Sequence, residues 1–124
     1  MYNPTPTELR VLQPRQGTVV VEVLGEHDVA SRAETAATFA RLVAENELVV
    51  VDVTQTAFID SSFLKNLATA QRVAHERGSS VLLQVGTEPI VKRLLEVSNF
   101  LTHFDHVSSR EEALAWAPPE ARAV

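Results

Sequence analysis

Asp60, Ser61 and Ser62 are the residues of this chain best placed to do chemistry. They stand between the apolar run that begins at Leu48 and a stretch from Phe63 whose apolar residues recur at three- and four-residue spacing, the pattern of a helix lying on a sheet. An aspartate directly before such a stretch reads as an N-cap, because its carboxylate can accept from a free backbone N–H of the first helical turn. Ser61 and Ser62 then fall in that turn with their hydroxyls near the surface. The unpaired N–H groups and the positive end of the helix dipole tolerate added negative charge there. Phosphorylation of Ser61, with Ser62 as the second choice, is therefore chemically reasonable. Capping alone accounts for the same three residues and is the reading that the local pattern by itself favours.

Catalysis fits the sequence poorly. Ser61 has no histidine base in its motif, and the Gly-x-Ser-x-Gly elbow of a hydrolase is absent. Asp52 interrupts an apolar run with no acidic pair before it, unlike a phosphate-accepting aspartate of receiver type. The chain has no cysteine, which excludes disulfides, thiolate metal sites and thiol catalysis. His103 and His106 stand three apart in a segment that reads as strand, where they face opposite sides and do not share a metal. The expectation is a protein that is not an enzyme and carries no metal or cofactor.

Composition agrees with a binding role. The chain has 124 residues, 45% hydrophobic and 22% charged, which is the profile of one soluble globular domain. No apolar run approaches the roughly 18–20 residues that span a bilayer, and the start, MYNPTPTELR, lacks a basic segment and an apolar signal core. A cytoplasmic protein without membrane insertion is expected. Sixteen acidic against eleven basic residues give a net charge of −5 with no Lys/Arg stripe. Direct nucleic-acid binding is thus disfavoured, whereas a basic protein partner is compatible. The oligomeric state is not specified by sequence.

The elements that must position the motif follow from pattern. Val49, Val50, Val51 and Val53 make a central strand covered on both faces, with Thr54, Gln55 and Thr56 as the turn after it. The helix opened by Asp60 runs to Arg77, with Gly78 as its C-cap and positions 63, 64, 67, 68, 70, 73 and 74 apolar. Upstream, residues 1–8 are loose, Leu9–Leu12 forms a short edge strand, and Pro14 and the Gln16-Gly17 turn end it. Thr18–Leu24 is a strand closed by Gly25, and Gly25, Glu26, His27 and Asp28 form a loop. A helix from Ala30 to Glu45 lines one face with Ala33, Ala36, Ala37, Ala40, Val43 and Ala44. Downstream, Ser80–Val85 is a buried strand broken by Gly86, and Thr87 with Pro89 opens a helix through Ile90, Leu94 and Val97 to Asn99. Thr102–Val107 is a short strand, and Ser108 starts a last helix through Trp116, stopped by Pro118 and Pro119. The prediction is one α/β domain over residues 9–117, with a mixed sheet of four to five strands and about four helices, and a frayed tail over 118–124.

Three separated segments in this arrangement resemble the STAS domain family, and in particular the bacterial anti-sigma factor antagonists. Gly25-Glu26-His27-Asp28 is similar to the family's Gly-Glu-Leu-Asp turn, Phe58-Ile59-Asp60-Ser61-Ser62 to its signature, and residues 91–100, VKRLLEVSNF, to its late helix. The resemblance implies a regulatory protein-binding module. Its Ser61 would be phosphorylated by an anti-sigma factor serine kinase and dephosphorylated by a PP2C-type phosphatase, and the unphosphorylated form would bind the anti-sigma factor in a partner switch. The implied contact set is Glu26, His27, Asp28, Asp60, Ser61, Ser62, Phe63 and Lys65. A second role compatible with the family is a STAS subunit of a membrane transport assembly, sulfate-type or phospholipid ABC, that docks without phosphorylation. Two positions depart from the family pattern. Phe63 replaces a glycine and either packs inward or stands out as an interface anchor. His27 replaces an aliphatic residue and is either a solvated loop residue or a group of variable charge beside the site.

Overall fold

The computed structural model describes residues 8–27, 32–86 and 104–118. Its elements in order are β1 (Glu8–Arg15), β2 (Thr18–His27), α1 (Arg32–Glu45), β3 (Leu48–Asp52), β4 (Thr56–Ile59), α2 (Ser61–Arg77), β5 (Ser80–Gln84), β6 (His106–Val107) and α3 (Arg110–Ala115). The β-branched runs pair as a mixed sheet in the order β1-β2-β3-β5-β6. β1 and β2 form an antiparallel hairpin about Gln16 and Gly17, and β2, β3, β5 and β6 run parallel. β4 lies off this path and pairs in parallel with the C-terminal end of β2. The fold is the expected α/β domain with a mixed sheet.

β3 is central and buried along its whole length, as its valines require. Because side chains alternate across a strand, each parallel strand serves two cores. Val19, Val21 and Val23, Val49, Val51 and Val53, and Val81, Leu83 and Val85 face one way, toward Phe39, Leu42 and Val43 of α1 and Phe63, Leu67, Ala70 and Ala74 of α2. Val20, Leu48, Val50 and Leu82 face the other way, toward Ala113 of α3, with Val107 and Trp116 at the margin. Each fully buried Val, Leu or Phe contributes about 1.5–3 kcal/mol, so these two layers hold the sheet flat against its helices.

Several elements differ from the sequence expectation. β1 runs on through Pro14 to Arg15, which an edge strand allows, and the pairing register shifts between Leu12 and Arg15. Gly25 does not close β2: with φ of 78° it sits at a register shift, and the strand continues through the expected loop to His27. Thr56 begins β4 rather than ending a turn. In α1 the buried residues are Thr35, Phe39, Leu42 and Val43, while Ala33, Ala36, Ala37, Ala40 and Ala44 are exposed. Ala68 of α2 is exposed as well. Larger side chains remove more apolar area from water, and the helix turns to bury them. Ser109, not Ser108, caps α3, accepting from the Glu112 N–H at 3.1 Å. The strand expected over Thr102–Val107 is described only as His106–Val107. The helix expected from Thr87 to Asn99 lies outside the described residues, which contain three helices.

Candidate functional site

Asp60 adopts an extended backbone, with φ of −116° and ψ of −175°, and its Oδ1 accepts from the Phe63 N–H at 3.1 Å. It is the N-cap that its position predicts, and α2 opens with Ser61. Ser61 is exposed and Ser62 half-buried in the first turn, which contains no acidic residue, and Lys65 is exposed one turn on. The helix ends as expected on Gly78, whose φ of 78° lets its N–H and that of Ser79 close on the His75 and Ala74 carbonyls.

Phe63 takes the inward of its two readings. It is 3% exposed, and its ring meets the Phe39 ring edge-on, centroids 6.0 Å apart and planes at 73°. The ring that replaces the expected glycine therefore clamps the first turn of α2 onto α1, and it is not offered to a partner. Asn66 adds a second tie between the two helices, donating to the Arg32 carbonyl at 3.1 Å.

The pairing of β2 with β4 joins the two sequence segments that frame the serine. Gly25 lies beside Thr56, Glu26 beside Phe58 and His27 beside Ile59, so the end of β2 runs alongside the residues leading into Asp60. Asp28 lies outside the described residues. The turn that feeds β4 is pinned by four hydrogen bonds. The Asp52 Oδ1 accepts from the Thr54 N–H at 2.9 Å and from the Thr54 hydroxyl at 2.6 Å. The Thr56 N–H donates to the Val53 carbonyl at 3.2 Å, and the Thr56 hydroxyl to the Val23 carbonyl at 3.0 Å.

On the opposite face of the sheet lies a polar cluster that sequence reasoning missed. Glu22, Asp52 and Gln84 are neighbours in the parallel register. Arg110 reaches all three, from Nη2 to Asp52 Oδ2 at 2.7 Å and Glu22 Oε2 at 3.1 Å, and from Nε to Gln84 Oε1 at 3.0 Å. Arg10 approaches the other Glu22 oxygen at 3.4 Å. Burial opposes the Arg110 charge, but the hydrogen bonds and charges of Asp52 and Glu22 outweigh it and hold its pKa above the ordinary value. A signal was present. Val19–Val23 reads VVVEV, Val49–Val53 reads VVVDV and Val81–Val85 reads VLLQV, with one polar residue at the same place in each. Among the described residues no group of three or more His, Asp or Glu could hold a metal ion, and no helix is long and apolar enough to cross a membrane.

Comparison with known proteins agrees with this architecture. An anti-sigma factor antagonist from Mycobacterium paratuberculosis superposes with a TM-score of 0.75 at 21% identity, covering 93% of this chain and 97% of that one. The anti-sigma factor antagonist SpoIIAA in its unphosphorylated form gives 0.73 at 17% identity, covering 94% of this chain and 98% of that one. The phosphorylated form of SpoIIAA, a Bacillus cell fate determinant, gives 0.68 at 16% identity, covering 87% and 97%. At these identities the likeness establishes the fold. No curated protein matches the sequence. The family model described as "Mlab, STAS domain" matches residues 11–104, well over half of the chain. With that match on a sheet and helix order shared with the antagonists, the chain belongs to the STAS domain family.

Proposed function

We propose that this protein is an anti-sigma factor antagonist, a non-enzymatic binding module of the cytoplasm whose affinity is switched by phosphorylation of Ser61. The observation that carries the reading is the exposed Ser61 hydroxyl in the first turn of α2, directly behind the Asp60 cap, on a fold shared with SpoIIAA. The partner is an anti-sigma factor serine kinase, and a PP2C-type phosphatase restores the binding form. Glu26 and His27 at the end of β2, Asp28 next in sequence, the Asp60 cap, and Ser61, Ser62 and Lys65 of α2 make up the docking face; Phe63 supports it from beneath.

A phosphate adds about −1.5 to −2 charges and three acceptor oxygens beside Asp60, so an interface fitted to a neutral hydroxyl gains repulsion and desolvation cost. A change of about 1.4 kcal/mol already alters affinity tenfold. Affinity capture from the source cells with Ser61→Ala and Ser61→Glu variants tests the reading. The alanine variant is expected to retain a soluble ATP-binding kinase and the glutamate variant to lose it. Equal capture by both variants, or capture of a membrane transport assembly regardless of residue 61, would overturn the switch and favour a constitutive docking subunit.

A further inference from the structure

Arg110 is the point where the last helix grips the sheet, and the two carboxylates it holds lead by short routes to the Ser61 turn. Asp52 is 4% exposed and divides its oxygens: Oδ2 takes the Arg110 guanidinium, and Oδ1 takes the N–H and hydroxyl of Thr54. Two residues later Thr56 opens β4, which runs straight into Asp60. Glu22 lies three residues before Gly25, where β2 begins the pairing that holds β4 in place. One guanidinium thus fixes both strands that set where the α2 N-terminus sits. Arg10 and Arg110 face Glu22 and Asp52, two positive charges against two negative ones, so the cluster is balanced only while Arg110 is docked.

We infer that Arg110 is a positioning residue for the Ser61 face, coupling the docking of α3 to the order of the β3–β4 turn, β4 and the first turn of α2 through the shared Asp52 carboxylate. Removing the Arg110 guanidinium while α3 still covers the sheet leaves two carboxylates without their main counter-charge, and Asp52, 4% exposed in that packing, is too deeply buried to be solvated where it stands. The carboxylate must turn toward water, which takes Oδ1 away from Thr54 and releases the turn. By linkage the coupling is reciprocal, so a partner that orders the Ser61 face also tightens α3. This deepens the proposed function by giving its docking face a control point on the opposite side of the sheet. The coupling itself requires no phosphate, so its failure is distinguishable from failure of the Ser61 switch.

Amide hydrogen exchange on the full chain provides the test, comparing wild type with Arg110→Met and with Leu82→Ala, a core truncation on the same face. The reporting amides are Thr54, Phe63 and Leu64, whose N–H groups donate to Asp52 Oδ1, Asp60 Oδ1 and the Asp60 carbonyl. In Arg110→Met these amides are expected to exchange at least about tenfold faster relative to the β3 amides, a selective local opening, whereas Leu82→Ala speeds both groups together. If Arg110→Met does not fold, Arg110→Lys serves, because one ammonium keeps the charge but cannot bridge three acceptors. The same selectivity at smaller size is then expected. Exchange at Thr54, Phe63 and Leu64 that rises only in parallel with β3 in the arginine variant that folds would overturn the inference.

Discussion

Asp60 and Ser61 are separable by mutation because the first caps the helix and the second is exposed in its first turn. Asp60→Ala removes the bond to the Phe63 N–H and is expected to cost about 1 kcal/mol, read as a lower denaturation midpoint. Ser61→Ala removes no side-chain bond seen among the described residues and should leave that midpoint within about 0.5 kcal/mol of wild type. A loss comparable to that of the cap would mean that Ser61 is structural. The cap was legible in the sequence because its chemistry is local, an aspartate three residues before the amide it accepts. Arg110 was not, since its partners lie 26, 58 and 88 residues away and nothing local marks it. What the sequence did display was the repeated polar position in three valine-rich strands. Read singly, Asp52 looked like an interruption; only the parallel register makes Glu22, Asp52 and Gln84 a row.

The elements show where pattern reading succeeds and where size and pairing override it. Six of the apolar positions expected on α2 are buried or half-buried, because its large residues and its apolar spacing coincide. In α1 they diverge: alanines and larger residues each form a plausible stripe, and Phe39, Leu42 and Val43 take the core. β4 escaped notice because four residues next to a polar turn carry too little alternation to signal a strand, and its existence depends on β2 continuing past Gly25. Phe63 is the element-scale anchor of the site. Phe63→Ala should destabilise by about 3–5 kcal/mol through the lost ring and the cavity left against Phe39, measured by denaturant titration. A cost below 1 kcal/mol would show that the α1–α2 clamp is not made as described. Gly86 constrains the other side of the β3–β4 turn. A Cβ there would stand 2.7 Å from Thr54 Cγ2, on a backbone with φ of 68°, so Gly86→Ala should lower the unfolding midpoint. Thr54→Ser in the same chain relieves the contact and should recover part of the loss, leaving the cost of the positive φ.

At the scale of the molecule, one sheet carries α1 and α2 on one face and the Arg110 cluster with α3 on the other. The fold class was legible because alternating strands and helices over short connections admit few arrangements. Which face α3 covers was not, because that depends on long-range partners. The raised pKa of Arg110 has a defined sign: its contribution is present below the ordinary arginine range and is lost only as pH rises above it. Arg110→Lys should bring that loss down to about pH 10–11, where lysine titrates, seen as a steeper alkaline fall in stability than that of wild type. Parallel alkaline profiles would show that the cluster contributes little. The central claim, a serine switch on the α2 N-terminus, is tested most directly by intact mass and peptide mapping of the protein isolated from its own cells across growth conditions. The account predicts a single phosphate on Ser61 whose occupancy varies with condition and which is absent from Ser61→Ala. A chain unmodified at Ser61 and Ser62 in every condition would contradict it.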